Sequence, residues 1–287
     1  MIVQKAYKYR FFPTDSQKSQ LAHTFGCARF VWNLGLELRS KTYQESQQSL
    51  SYAQTTAALT QWKKEPETAF LKEVSSVALQ QSLRNLDAAF NNFFEKRSAY
   101  PRFKSRKGKQ SVRYQTNAFT CQDGRLTLAK QDEPLEISWS RPLPADAKPI
   151  SATVSKDQAE RYFISILVET DVQTLPQTEA DVGIDLGIKT LATGSNGRNL
   201  ENPRPLHRAT KRLRLKERRL SRKVKGSKNR DRERLKVAKQ HARIRDIRTD
   251  RIHQFTTQTI RENQAVYVEG LNVAGMLKNH RLAKHLS

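Results

Sequence analysis

A chain of 287 residues can bury at least one sizeable core and has room for two domains. Its 52 lysines and arginines face 28 aspartates and glutamates, and the formal charge of +24 points to a polyanionic partner, nucleic acid first, ahead of a ribosomal-type structural role or charge kept for solubility. Cys27 and Cys121 lie far apart with no CxxC spacing, which argues against a disulfide framework or zinc ribbon and for two small buried hydrophobes. The opening MIVQKAYKYR has no signal-peptide core, and no apolar run approaches the ~18 residues of a membrane span, so a soluble intracellular protein is expected.

The alternating residues up to Phe12 stop at Pro13 and read as a strand. Thr14, with Gln17 three residues on, forms a capping-box start. The helix that follows carries Leu21, Phe25, Ala28, Trp32 and Leu36 and fades into a polar QESQQS stretch. A shorter helix fits Tyr52 to about Glu65, before Pro66. Leu79, Leu83, Leu86, Phe90 and Phe93 give a third helix one apolar face. Residues 13–98 thus read as a small helical bundle whose stripes are core. Short strand candidates follow at Leu126–Leu128, Leu135–Trp139, Ile150–Val154 and Tyr162–Val168, divided by turn signals at Asp123-Gly124 and Pro142/Pro144. Their spacing suggests a small barrel that the N-terminal strand could close around the inserted helices. A polar linker, Asp171 to Ala180, ends this half. Then come a strand at Val182–Gly187, a turn at Ser195-Asn-Gly197, a charged region from Arg204 to Arg251, and a strand at Val266–Val268 ending on Glu269-Gly270.

Asp185 sits inside an apolar strand, where burial is costly without compensation. A divalent cation, a nearby helix to cap or an arginine would each supply it. The same GIDLG pattern also opens sugar kinases and chaperone-type ATPases. Glu269 closes the second apolar strand. In a ribonuclease-H-like sheet the first and fourth strands are parallel neighbours, so the two acids would face one another. Such a pair resists ionisation unless cations neutralise it, and it suits magnesium. An N-cap or surface role for Glu269 is the alternative.

Between these strands, Arg204 to Arg251 holds 21 Lys/Arg against 5 Asp/Glu, a net +16. Leu206, Leu213 and Leu220 recur every seven residues, and Leu235, Ala238, Ala242 and Ile247 continue a stripe. This reads as a helical hairpin with a thin apolar seam and cationic outer faces, too one-signed for a salt-bridged surface and suited to phosphate backbones. A second basic patch, Tyr100 to Lys107 with Arg113-Tyr114, interleaves aromatics. Phe103 and Tyr114 could stack on unpaired bases or fill the barrel core.

Tyr9-Arg-Phe-Phe-Pro13, Gly26-Cys-Ala-Arg-Phe-Val-Trp-Asn33, Leu79-Gln-Gln, Tyr100-Pro-Arg-Phe-Lys104, Gly183-Ile-Asp-Leu-Gly187 and Val268-Glu-Gly-Leu-Asn272 occur in that order, and with them the chain resembles transposon-encoded OrfB/TnpB proteins nearly end to end. The resemblance implies an α+β multidomain fold: a small wedge-like β-barrel (1–12 and 99–170) with an inserted helical recognition bundle (13–98), a linker (171–180), and an incomplete ribonuclease-H-like RuvC α/β domain (181–287) carrying the long basic hairpin. It implies a transposase-associated protein of the prokaryotic cytosol that binds a transposon-derived guide RNA and target DNA, with no membrane role. Asp185 and Glu269 become the first and second RuvC acids, as catalytic residues and Mg2+ ligands. Nucleic-acid contacts are expected from Arg10, Arg102, Phe103, Lys104, Arg106, Lys107, Lys211, Arg212, Arg214, Arg218, Arg219, Arg222 and Lys223. Family members continue past the segment resembling Met276–Lys284 with a further strand, a CxxC…CxxC zinc insertion and a third aspartate. With Ser287 last, two acids, no zinc and an open strand edge are the expectation here. A nuclease-inactive guided DNA-binding repressor is the alternative function. An actin-like phosphotransferase rests on GIDLG alone and lacks a second glycine-rich phosphate loop.

Overall fold

Tyr7, Tyr9 and Phe11 turn inward from β1 (Ile2–Phe11) while Lys8 and Arg10 between them stay exposed, the period of two that a half-buried strand requires. The computed structural model describes residues 1–279 except 123, 173, 188, 189, 202 and 203, and for 204–207 the backbone alone. The Asp123 turn, the Leu206 side chain and the end of the Met276–Lys284 segment therefore lie outside the described residues.

Pro13 ends β1, and α1 (Asp15–Ser46) starts on the capping box read from the sequence. Gln17 N donates to Thr14 Oγ1 at 3.3 Å, and Thr14 N donates to Gln17 Oε1 at 3.1 Å. Ser51 and Gln54 build a second capping box for α2 (Tyr52–Trp62), a signal the sequence reading passed over. The expected continuation to Glu65 is instead a break, and a 3-10 segment, Pro66–Glu73, leads into α3 (Ser76–Phe94). Helices α1 and α3 approach so closely at Gly35 that an added Cβ would lie 2.7 Å from Leu83 Cδ2.

The strands are β2 (Gln110–Gln115), β3 (Phe119–Gln122), β4 (Arg125–Leu128), β5 (Ile137–Ser138), β6 (Lys148–Lys156) and β7 (Tyr162–Asp171). One antiparallel sheet runs β2-β6-β7-β1-β5, and β3 with β4 forms a separate hairpin. The first strand pairs with β7 along its whole length, from Ile2↔Asp171 to Phe11↔Tyr162. The core of this sheet, Tyr9, Phe11, Ile164 and Ile166 among others, also takes in Leu21, Phe25 and Ala28 of α1. Two further clusters join α1 to α2 and α3 through Val31, Leu59 and Leu79, and through Trp32, Leu36 and Phe90. Contacts divide the chain into two compact units, Met1–Val172 and Gln173–Ser287.

The second unit holds β8 (Asp181–Asp185), β9 (Thr190–Gly194), β10 (Asn199–Glu201), α4 (Arg204–Ser221), α5 (Lys228–Glu262), β11 (Ala265–Val268) and α6 (Val273–Lys278). Its sheet order is β10-β9-β8-β11, with β8 and β11 parallel and the other pairs antiparallel. The strand expected to reach Gly187 stops at Asp185.

Loss of the first capping box should weaken the first unit measurably. Thr14→Ala should lower the unfolding free energy by about 1 kcal/mol in a denaturant titration. Gln17→Ala should cost more, up to about 2–3 kcal/mol, because the buried Gln17 amide also donates to the carbonyls of Glu133 and Pro134, each at 3.2 Å.

Candidate metal centre and nucleic-acid surfaces

The parallel ladder between β8 and β11 pairs Ala265 with Asp181 and ends with Val268 opposite Ile184. The next residues in that register are Glu269 and Asp185, so both carboxylates stand at the C-terminal ends of neighbouring parallel strands. Both are exposed. Helix capping finds no support: among the described residues β9 follows β8, and the N-cap of α6 is Asn272, whose Oδ1 accepts from Gly275 N at 2.9 Å. The exposure of Glu269 fits a surface glutamate as well as a metal ligand. Among the described residues neither acid forms an ion pair, and no group of three or more His, Cys, Asp or Glu side chains gathers around a common point. Two hard oxygen donors are therefore what this site offers a cation. Cys27 is buried, with burial pushing its thiol up to about 11, and Cys121 is half-buried and raised for the same reason.

Helices α4 and α5 form the expected hairpin, and Lys211, Arg212, Arg214, Arg218, Arg219, Arg222 and Lys223 are all exposed on it. The seam keeps the expected Leu213, Leu220 and Ile247, and Ala242 is buried as expected, but its other positions differ. Ala209 and Leu213 meet Val237 and Ile244, with Leu220 and Ile247 beside them, while Leu235 and Ala238 lie only partly buried off this line. Gln240 explains the offset: it is buried in the seam, donating to the Ala209 carbonyl at 2.9 Å and accepting from Lys216 Nζ at 3.0 Å. A polar residue at a seam position breaks the apolar period that the sequence displays. The turn between the helices is closed by Arg230, whose Nη1 donates to the carbonyls of Leu220 and Lys223 at 3.1 and 2.8 Å.

In the first unit, residues 102–107 form an exposed strap carrying Arg102, Phe103, Lys104, Arg106 and Lys107. It is pinned to α1. Trp32 Nε1 donates to the Arg102 carbonyl at 3.1 Å, Asn33 Nδ2 donates to the Lys104 carbonyl at 3.0 Å, and Lys104 N donates to Asn33 Oδ1 at 2.8 Å. Two motifs that are seventy residues apart in sequence thus hold each other. Phe103 is 63 % exposed, whereas Tyr114 is 2 % exposed in the core with its hydroxyl pushed up to about 12 by burial. The two aromatics left open by the sequence therefore divide: Tyr114 is core, and Phe103 is free to stack. Arg10 is exposed on β1, its guanidinium 4.9 Å from the Phe12 ring centroid. Lys104 Nζ lies 3.5 Å from the Trp32 ring centroid, and desolvation there brings its ammonium down to about 8 although the residue as a whole is exposed. Arg29 and Lys109, which the sequence did not single out as contacts, and Arg113 of the second basic patch stand near the strap with Lys104 around one cleft.

Family models described as "Probable transposase" and "Helix-turn-helix domain" match residues 164–280 and 1–48. A Streptomyces pristinaespiralis protein named "Putative RNA-guided DNA endonuclease" is 52% identical over 99% of this chain and 71% of its own length. The chain belongs to the OrfB/TnpB family. The Escherichia coli K12 relative "Putative RNA-guided DNA endonuclease InsQ" is 33% identical over 96% of this chain and 68% of its own length. A solved structure titled "Cryo-EM structure of the Cas12f1-sgRNA-target DNA complex" superposes with a TM-score of 0.53 at 9% identity, covering 94% of this chain and 81% of that one, a likeness of mixed α+β fold. In this OrfB/TnpB chain the stretch matched as helix-turn-helix is a strand followed by one uninterrupted helix. No helix among the described residues is long and apolar enough to cross a membrane.

The lowered Lys104 ammonium makes a signed prediction. The unfolded lysine titrates near its ordinary 10.5 and the folded one near 8, so the unfolded chain binds more protons between those values. The burial penalty is full below pH 8 and is relieved as pH rises towards 10.5. Relative to Lys104→Met, the native chain should therefore gain stability from pH 8 to 10.5, as read from denaturant midpoints across that range. Equal pH slopes for the two proteins would show that Lys104 is not desolvated.

Proposed function

We propose that this chain binds a guide RNA and target DNA and carries two acids of a metal-dependent, RuvC-like DNA endonuclease site. Membership of a family whose relatives bear the name of RNA-guided DNA endonuclease makes that the leading reading. The observation that carries it is the β8–β11 register, which sets Asp185 and Glu269 side by side at one edge of a sheet.

In this reading residues 1–12 and 99–170 form the wedge-like barrel, 13–98 the inserted helical recognition domain, 171–180 the linker and 181–287 the RuvC-like domain. Asp185 and Glu269 would hold Mg2+, whose chemistry at such a site is to polarise a phosphodiester and activate water. Their exposure suits that role, since the phosphate must reach them from solvent. The basic stretch from Lys211 to Lys223, on α4 and the turn after it, holds phosphates through charge and reads no sequence. Arg10, Arg102, Arg106 and Lys107 do the same in the first unit.

The test is a binding and cleavage series on the full chain with an RNA transcribed from the transposon end and matching target DNA. RNA affinity should fall roughly a thousandfold between 50 and 200 mM salt if six or more phosphates are contacted. Asp185→Ala and Glu269→Ala should leave binding intact and abolish any magnesium-dependent cutting seen in the parent. Salt-insensitive binding would sink the electrostatic reading. Guided cleavage that survives both substitutions would overturn the assignment of the two acids, while full target occupancy with no cutting under any condition would favour the repressor.

A further inference from the structure

On the proposed nucleic-acid-binding reading, the cleft beside the strap gains a specific role. It holds about 60 Å3 and lies between α1, α3 and residues 104–113. Arg29, Lys104, Lys109 and Arg113 line it and no carboxylate does. Their partners are neutral. Arg29 Nη1 donates to Gln110 Oε1 at 3.2 Å, Arg113 Nε donates to Ser151 Oγ at 3.1 Å, and Lys104 rests on the Trp32 ring. Among the described residues none of the four is ion-paired. Arg39, two turns and more along α1 from Arg29, shows the contrast: it is buried and bonded to Asp87 at 2.9 Å.

Four like charges around one concavity repel each other, and low-dielectric walls strengthen that repulsion. Partial desolvation of Lys104 at this wall adds to the strain of keeping the cleft cationic. A phosphate relieves both, through charge-assisted hydrogen bonds. That volume is enough for a phosphate group and a few waters and cannot seat a base pair or a double helix. The floor includes Phe25 and Ala28, and the exposed amide of Asn85 stands at the wall. One residue along the strap, Phe103 offers an open ring.

We propose that this cleft takes the phosphate of one unpaired nucleotide of a bound strand on Arg29, Lys109 and Arg113, its base left outside the cleft at Asn85, with Phe103 stacking the neighbouring base. Stacking on an aromatic face beside a cationic groove is the general solution for single strands. RNA and DNA both supply that chemistry.

Fluorescence anisotropy on the full chain with labelled U8, labelled dT8 and a 16-base-pair DNA duplex tests it. The double variant Arg29→Gln/Lys109→Gln should weaken single-strand binding about tenfold or more and lower the slope of log affinity against log salt by about 1.4, near 0.7 for each cation. Phe103→Ala should lose about fivefold or more on the same strands. Duplex affinity should change less than threefold, and Arg29→Lys should restore most of the loss. A drop on U8 alone or dT8 alone supports the site and identifies its strand. Should Arg29→Gln unfold in a thermal melt, the exposed Lys109→Gln carries the test, with about a threefold loss and the same 0.7 in slope. Parent-like single-strand binding in the cleft variants, or equal losses on duplex and single strands, overturns the proposal. A parent chain that binds none of the three probes fails the broader reading instead.

Discussion

The parallel ladder between β8 and β11 is the constraint from which the second unit follows. Parallel neighbours cannot be joined by a tight turn, so the chain must leave the sheet after β10 and come back by a long crossover. That crossover is α4 and α5, the most cationic stretch of the protein. Parallel pairing also decides where the acids sit. If β11 ran the other way, Glu269 would stand at the Asp181 end, four residues or about 13 Å from Asp185 at roughly 3.3 Å per residue. One topological choice therefore brings the two carboxylates to the same strand ends and supplies the connection that carries most of the chain's net positive charge.

The hairpin that makes the crossover is held by little. Its seam is built from Ala209, Leu213, Val237 and Ile244, small to medium side chains along two long helices. Against that seam stands a net +16 between Arg204 and Arg251. Intrahelical pairs such as Lys236–Glu233 and Arg234–Asp231 relieve the repulsion locally, but exposed pairs of this kind contribute about 0–1 kcal/mol each. A polyanion laid along the outer faces would therefore stabilise the hairpin as well as be held by it, because it binds the folded form and screens the like charges. Gln240 keeps the seam in register at the same time: its amide accepts from Lys216 and donates to Ala209, a contact no leucine could make.

Legibility in the sequence followed the strength of the periodic signal. Helices α1 and α3, strands β1 and β7 and the acid-bearing ends of β8 and β11 could all be read, because apolar residues recur there at the helix or strand period. The strand β2, reading QSVRYQ, was not, since only Val112 and Tyr114 face inward and its other positions are polar. At three residues, β10 has no period at all. The seam on α5 was misplaced because Gln240 hides one of its members and Leu235, off the line, imitates another. The clamp between Trp32-Asn33 and the strap is invisible for a different reason: side chain to backbone bonds across the fold leave no pattern in either segment.

That clamp bears on how one unit leaves some cations charge-paired and others not. Arg39 is buried, paired with Asp87 and stacked 4.1 Å from the Phe90 ring centroid, so its charge is already satisfied within the fold. Arg161 likewise meets Asp157, at 2.9 Å. The cations at the strap and its cleft are instead positioned by carbonyls, amides, a hydroxyl and a ring, none of which cancels a charge. Neutral partners fix the geometry and leave the field intact, and a fixed, uncancelled field is what a phosphate needs to find. The same side-chain type thus meets opposite surroundings within one compact unit, and the difference lies in the partner, which the arginine's own sequence neighbours do not disclose.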